Sequence, residues 1–253
     1  MEERTEQKKA LPEPTELQFT EFTPEDVAGL RDYYHLRPNR SCDNSPLDTY
    51  LWQEYYDIRR CVVNEEAVLM VDQEAGELAG CIPLCREERL PEYFRLQERY
   101  FNEVLKKPFK IYFADEAGVS FLKEQGLLEH YEIREEEDLR DYLYEGDALR
   151  TLAGRKLSKK RNHIHRFEKE YEGRWEYRPL GLSQKAEILS FLTEWEQGKD
   201  AEGEGQGIAP DESSYDALES LHAEVEGVEA ILKYPCVFQE VRAGGIYIDG
   251  RLR

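Results

Sequence analysis

Long apolar runs are missing from this chain of 253 residues. The longest, residues 67–71, falls far short of the roughly 18 residues that a membrane-spanning helix needs, so no integral membrane segment is expected. The opening string Met1-Glu2-Glu3-Arg4-Thr5-Glu6 is polar and acidic, and no secretory signal or transit peptide is visible in it. Positive charge is scarce. Lys and Arg total 34 against 54 Asp and Glu, a net charge of −20, which argues against a protein that coats DNA or a membrane surface through bulk charge. The five cysteines (Cys42, Cys61, Cys81, Cys85 and Cys236) are odd in number and scattered, a pattern that fits a reducing compartment and a cytoplasmic protein. Cys81 and Cys85 lie in an apolar run with no further ligands nearby, so buried thiols explain them better than a metal site. Walker loops, zinc-type Cys/His spacings and Gly-x-Ser-x-Gly elbows are absent as well.

What is present reads as mixed α/β. Residues 1–16, with Pro12 and Pro14, read as a loose arm, and residues 17–22 alternate like a strand. Thr23-Pro24-Glu25-Asp26 and Ser45-Pro46 each place a capping hydroxyl before proline, the signature of a helix start. Short strands are expected at residues 58–63, 67–71 and 78–84. A helix follows over 90–106, a strand over 110–114, a helix ending at Gly126 and a strand over 128–133. The layout then starts again: a strand over 174–180, a helix capped by Ser183, and a candidate hairpin joining 237–241 to 246–248. Residues 198–210 carry four glycines and read as a mobile loop. Asp249-Gly250 is a strong hairpin turn, yet few residues remain after it for a return strand. This order of elements resembles the GNAT acyltransferase fold. It implies two tandem GNAT-like halves, residues 1–145 and 146–253, the second apparently truncated.

One segment inverts the charge of the chain. Residues 150–166 hold seven Lys and Arg and no acid. A helix between Gly154 and Gly173 would bury Leu157, Ile164, Phe167 and Tyr171 on one stripe. It would offer Arg155, Lys159, Asn162 and Arg166 on another face, flanked by Lys160 and His163. Two readings stay open: charge balance against the acids of residues 132–147, or binding of a polyanion.

The string Leu157-Ser158-Lys159-Lys160-Arg161-Asn162-His163-Ile164-His165-Arg166-Phe167, followed by Trp175-Glu176-Tyr177-Arg178-Pro179-Leu180, resembles the C-terminal domain of phosphatidylglycerol lysyltransferase. Ser41-Cys42-Asp43-Asn44-Ser45-Pro46 with Trp52, and Gly244-Gly245-Ile246-Tyr247-Ile248-Asp249-Gly250, are similar to further motifs of that family. The resemblance implies an acyl- or aminoacyl-transferase whose donor is aminoacyl-tRNA or another phosphate-bearing molecule. Arg155, Lys159, Lys160, Arg161, Asn162 and His163 then become candidate anion-binding residues, with no DNA partner. The family's later Glu-Lys-Ala motif is absent, and the alternative is a non-catalytic GNAT-like binding module. No cofactor is expected: at residues 86–91, where CoA-using relatives carry glycines, the chain has none and two acids. No residue stands out as the catalytic base.

Overall fold

The computed structural model describes residues 9–39, 41–74, 76–204 and 212–253. They form a mixed α/β protein with two antiparallel sheets. The chain divides into two compact units. One comprises the described residues up to Arg134 with Glu226–Glu240, the other Glu135–Val225 with Val241–Arg253.

The first unit is built on a four-stranded meander: β1 (Thr20–Glu21), β2 (Arg59–Val63), β3 (Ala67–Glu74) and β4 (Glu77–Gly80), paired in that order. Tight turns join β2, β3 and β4, with Asn64 and Glu65 in the left-handed region (φ 57° and 60°). Residues 67–71 of β3 are buried on both faces, which explains the unbroken apolar run that marks them in the sequence. On one face Cys61, Val63, Ala67, Leu69 and Val71 meet α4 (Leu90–Arg99) through Leu90, Tyr93, Phe94 and Leu96. This helix widens into a π segment over Tyr100–Leu105 and stops at Lys106, whose φ of 56° ends it. On the other face lie the short helices α1 (Asp26–Gly29), α2 (Arg31–Tyr34) and α3 (Pro46–Trp52). Ser45 caps α3 as its sequence predicts, accepting from the Asp48 N–H, and Tyr34 reaches Thr49 Oγ1 at 2.7 Å.

Three expectations fail in this unit. The arm is not loose from residue 11 onward: Leu11 packs on the core, Pro14 is buried in a 3-10 turn (Pro14–Glu16) and Leu17 is 8% exposed. Residues 110–114 and 128–133 do not form strands. The first contributes a single parallel bridge, Gly80 to Ile111, and the second runs as turn and coil whose Tyr131 packs against Phe94 and Phe109. Aromatic packing rather than a ladder holds it. The helix α5 (Glu116–Glu124) begins at Asp115, which caps the Gly118 N–H and pairs bidentately with Arg37 at 3.0 and 2.8 Å. Arg37 and Asp115 are 7% and 10% exposed, so this ion pair is buried.

The second unit contains α6 (Gly146–Thr151), α7 (Ser158–Glu170), α8 (Lys185–Glu204), and the sheet β5 (Trp175–Leu180), β6 (Ala243–Ile248), β7 (Arg251–Leu252) in that order. Asp249-Gly250 makes the expected turn (φ 52° and 78°), and the return strand that the sequence leaves little room for is present as the two residues of β7. The partner of β6 differs from the expectation. The helix α9 spans Glu212–Lys233; after it Pro235 starts a short helix, α10 (Pro235–Phe238), where a strand was expected, and β6 pairs instead with β5. The glycine-rich stretch is likewise not a loop throughout: α8 continues through Gly198 and Gly203 to Glu204, and residues 205–211 lie outside the described residues.

Candidate functional site

The basic segment folds as the sequence pattern asks, with one correction. Gly154 and Gly173, at φ of 87° and 71°, bracket α7 in conformations that side chains resist. The turn before the helix is tied by Ser158, whose hydroxyl donates to the Arg155 carbonyl at 2.8 Å. The stripe meant for burial is open: no residue of α7 is buried, Ile164 is 46% exposed, and Leu157 and Phe167 are only half-buried. Phe167 and Tyr171 alone anchor the C-terminal end, Phe167 lying 5.4 Å from Trp175 and 5.1 Å from Tyr171 between ring centroids. An apolar stripe shows where a helix would bury a face; it does not show that a neighbour fills it.

The six candidate residues do not act as one set. Lys159, Asn162 and His163 share an exposed side of α7 with Arg166, and Lys160 flanks them. Arg155 is exposed in the turn that precedes the helix, off its face. Arg161 turns away, donating to the carbonyls of Leu152 and Gly154 and so tying the loop after α6 to the first turn of α7.

The electrostatics are unusual for a structural helix. Lys159, Lys160 and Arg161 occupy its first turn, where the backbone dipole is positive and acids are the stabilising choice; no acid is present there. Four acids of the preceding segment pair locally. Glu132 pairs with Arg134, Glu135 and Glu137 with Arg140, and Asp147 with Arg150, the one of these pairs that joins the acidic stretch to the basic segment. Among the described residues no ion pair joins Lys159, Lys160 or Arg166 to a carboxylate, so charge balance within the chain does not account for the cations of α7.

Two polar clusters escaped the sequence reading. Tyr247, 1% exposed, donates to Glu187 at 2.6 Å and lies under the Arg178 guanidinium, 4.3 Å from ring centroid. The Cys81 thiol donates to Asp72 Oδ2 at 3.3 Å, while Asp72 Oδ1 is buried with no hydrogen-bond partner among the described residues. Burial raises the pKa of both groups, and the nearby Asp72 pushes the Cys81 thiol further up. A thiol so held is a poor nucleophile. The signal available was Asp72 itself, a carboxylate continuing the alternation of a strand that was expected to stop at Val71. The start of α4 holds Arg89, 7% exposed, against Glu66 (2.7 Å) and Glu92 (3.0 Å), with Tyr93 donating to Glu66. Among the described residues no group of three potential metal ligands occurs, and no helix is long and apolar enough to cross a membrane.

A sequence profile of the family described as phosphatidylglycerol lysyltransferase, C-terminal, matches residues 34–221, well over half of the chain and all of α7. The chain belongs to that family. The match runs from the last residue of α2 through the basic helix and β5 into α9; the Gly244 to Gly250 motif lies outside it. The fold is similar to the crystal structure of a conserved protein of unknown function from Bacteroides thetaiotaomicron VPI-5482. That likeness has a TM-score of 0.73 and 21% identity, over 93% of this chain and 73% of the other. A comparison with curated proteins gives no match.

Proposed function

We propose that this chain is part of an acyl- or aminoacyl-transferase of two GNAT-like halves, and that the exposed side of α7 holds the phosphates of the donor, aminoacyl-tRNA. The observation that supports this reading is the row of cations in the first turn of α7, set against the helix dipole and joined to no carboxylate among the described residues. A local rule of stability broken without a compensating contact is the usual mark of a surface kept for a ligand. In such a reaction the amine of the acceptor attacks the ester carbonyl of the donor and the carbonyl electrons move to oxygen; as the carbonyl re-forms, the C–O ester bond breaks and the nucleotide oxygen leaves as a hydroxyl, taking up the proton that the amine gives up. Lys159, Lys160 and Arg166 would position the donor; Asn162 and His163 would hydrogen-bond to it.

Filter binding of aminoacyl-tRNA to Lys159→Ala/Lys160→Ala tests this. With two fewer cations on the phosphates, the slope of log affinity against log salt should shallow by about 1.4 to 1.8. Thermal stability should change by no more than about 0.5 kcal/mol, since neither ammonium is paired with a carboxylate among the described residues. Arg161→Ala serves as the contrast, because it should loosen the loop at residues 152–154 and lower stability more than binding. Unchanged RNA affinity in the double variant would refute the reading. A second reading, a non-catalytic module, draws support from the Arg89, Glu66 and Glu92 cluster at the start of α4, which fills the place of a pyrophosphate cradle in the first unit. Absence of transfer to any amine acceptor despite intact RNA binding would favour it.

A further inference from the structure

The second unit contains an extended segment and a strand edge that match one another. Tyr142 and Leu143, 88% and 85% exposed, are the most exposed large apolar side chains among the described residues, and Tyr144 is 54% exposed. Residues 142–144 belong to no helix or strand and make no backbone–backbone hydrogen bond among the described residues. The flanking residues are already extended, Arg140 at φ −72°, ψ 133° and Glu145 at φ −68°, ψ 123°.

The strand β5 is the outer member of its sheet. The Asp249 N–H donates to the Arg174 carbonyl at 2.9 Å, one step beyond the Trp175–Ile248 pair. Inward bonding alternates along an antiparallel ladder, so Glu176 and Arg178 also turn their backbone groups toward β6, while Trp175, Tyr177 and Pro179 turn theirs outward. Pro179 falls at an outward position, where its missing N–H breaks no ladder bond. Tyr177 and its cross-strand neighbour Ile246 are 64% and 40% exposed, so the edge adjoins an open apolar face.

We propose that a second copy of this chain docks here, residues 141–145 of one copy adding as an antiparallel strand to β5 of the other. Setting Tyr142 opposite Tyr177 places Tyr144 opposite Trp175, which extends the Tyr177–Ile246 and Trp175–Ile248 rows with two aromatic pairs. The same register sets Asp141 opposite Arg178 and Glu145 opposite Arg174, which are opposite charges across the junction. Arg174 and Arg178 hold Asp249 and Glu176 but are about half-exposed, and each guanidinium has further N–H groups to offer. Each copy owns one such segment and one such edge, so a reciprocal exchange uses both and closes a twofold pair. This inference stands apart from the transferase reading.

Sedimentation velocity across a concentration series tests it. The unaltered chain should show a monomer–dimer equilibrium. Tyr142→Pro, which removes the N–H that this register directs at Tyr177 from a segment with no backbone bond of its own among the described residues, should abolish the dimer with circular dichroism and melting temperature unchanged. Arg174→Glu and Glu145→Arg should each weaken association about fivefold to tenfold, and the two changes combined in one chain should restore it. A monomer at every concentration, or a dimer indifferent to Tyr142→Pro and to charge reversal, overturns the proposal. So does a monomer whose residues 142–144 are protected from hydrogen exchange, since the segment would then lie on its own sheet.

Discussion

Gly80, the last residue of β4, should tolerate no side chain. A Cβ there would stand 2.3 Å from Gln97 Nε2, 3.2 Å from its Cδ and 3.3 Å from the Met70 carbonyl oxygen. Gln97 has nowhere to retreat: it is 0% exposed, its Nε2 donates to the Met70 carbonyl at 2.7 Å, and its Oε1 is already buried with no partner among the described residues. Gly80→Ala therefore has to displace the amide by about an ångström and break that bond. Losing the bond and stranding a buried amide costs about 1–3 kcal/mol. Forcing the methyl into filled space costs about 1–3 kcal/mol more. The expected loss is thus about 2–6 kcal/mol, a large part of the 5–15 kcal/mol or so by which a domain is stable. Urea denaturation followed by fluorescence measures it. The cause is isolated by repeating the change in a Gln97→Ala background, where the obstacle is gone and Gly80→Ala should be neutral or slightly stabilising through the unfolded chain. Equal losses in both backgrounds would show that the close approach of Gln97 is not what reserves this position for glycine.

Other outcomes follow from the same structure. Asp115→Ala should cost about 3–5 kcal/mol, because it strands the buried Arg37 guanidinium and uncaps α5. Asp249→Asn removes an exposed pair with Arg174 while keeping a side chain suited to the left-handed turn, and should cost at most about 1 kcal/mol. Parallel denaturation curves compare the two, and similar losses would mean that burial does not set their worth. Asp72 carries a pKa raised by burial, so its contribution to stability is full while it is protonated in both states and declines as pH rises through the folded-state value. Starting near the ordinary carboxylate range at about pH 4, the unaltered protein should lose stability relative to Asp72→Asn as pH increases toward neutrality. A pH-independent difference between the two would contradict this. The asparagine keeps an oxygen to accept from the Cys81 thiol.

Local chemistry was legible where the partner lies close in sequence. The meander of β2, β3 and β4 follows from short apolar runs divided by turn residues, and Ser45-Pro46 announces α3 with its cap. The Lys159 to His163 string was likewise visible as the one place where charge reverses. Features that depend on a distant neighbour were not. Tyr131 occupies strand-like sequence yet settles into an aromatic cluster with Phe94 and Phe109, and no pattern within residues 128–133 distinguishes those outcomes. Ile164 sits on a regular apolar stripe and is nevertheless exposed, because periodicity describes the helix and not what lies beside it. Residues 237–241 misled for a nearer reason: Pro235 at a first helical position outweighed the apolar run after it. Arg161 entered the candidate set with the rest of its motif; its hydrogen bonds to two backbone carbonyls required the fold of the loop before it.

The unit that carries the large core is discontinuous: it needs Glu226–Glu240, and the chain visits the other unit before supplying them. Those late residues are closely fitted. A Cβ at Gly227 would stand 2.7 Å from Leu51, Val237 is 0% exposed, and Glu240 pairs with Arg31. During synthesis the first unit must therefore wait, with the surface beside α1 and α3 uncovered, until residue 240 has emerged. A nascent chain halted after Arg134 would present that surface to chaperones, and a gene cut at the same point would encode a protein missing its last structural piece.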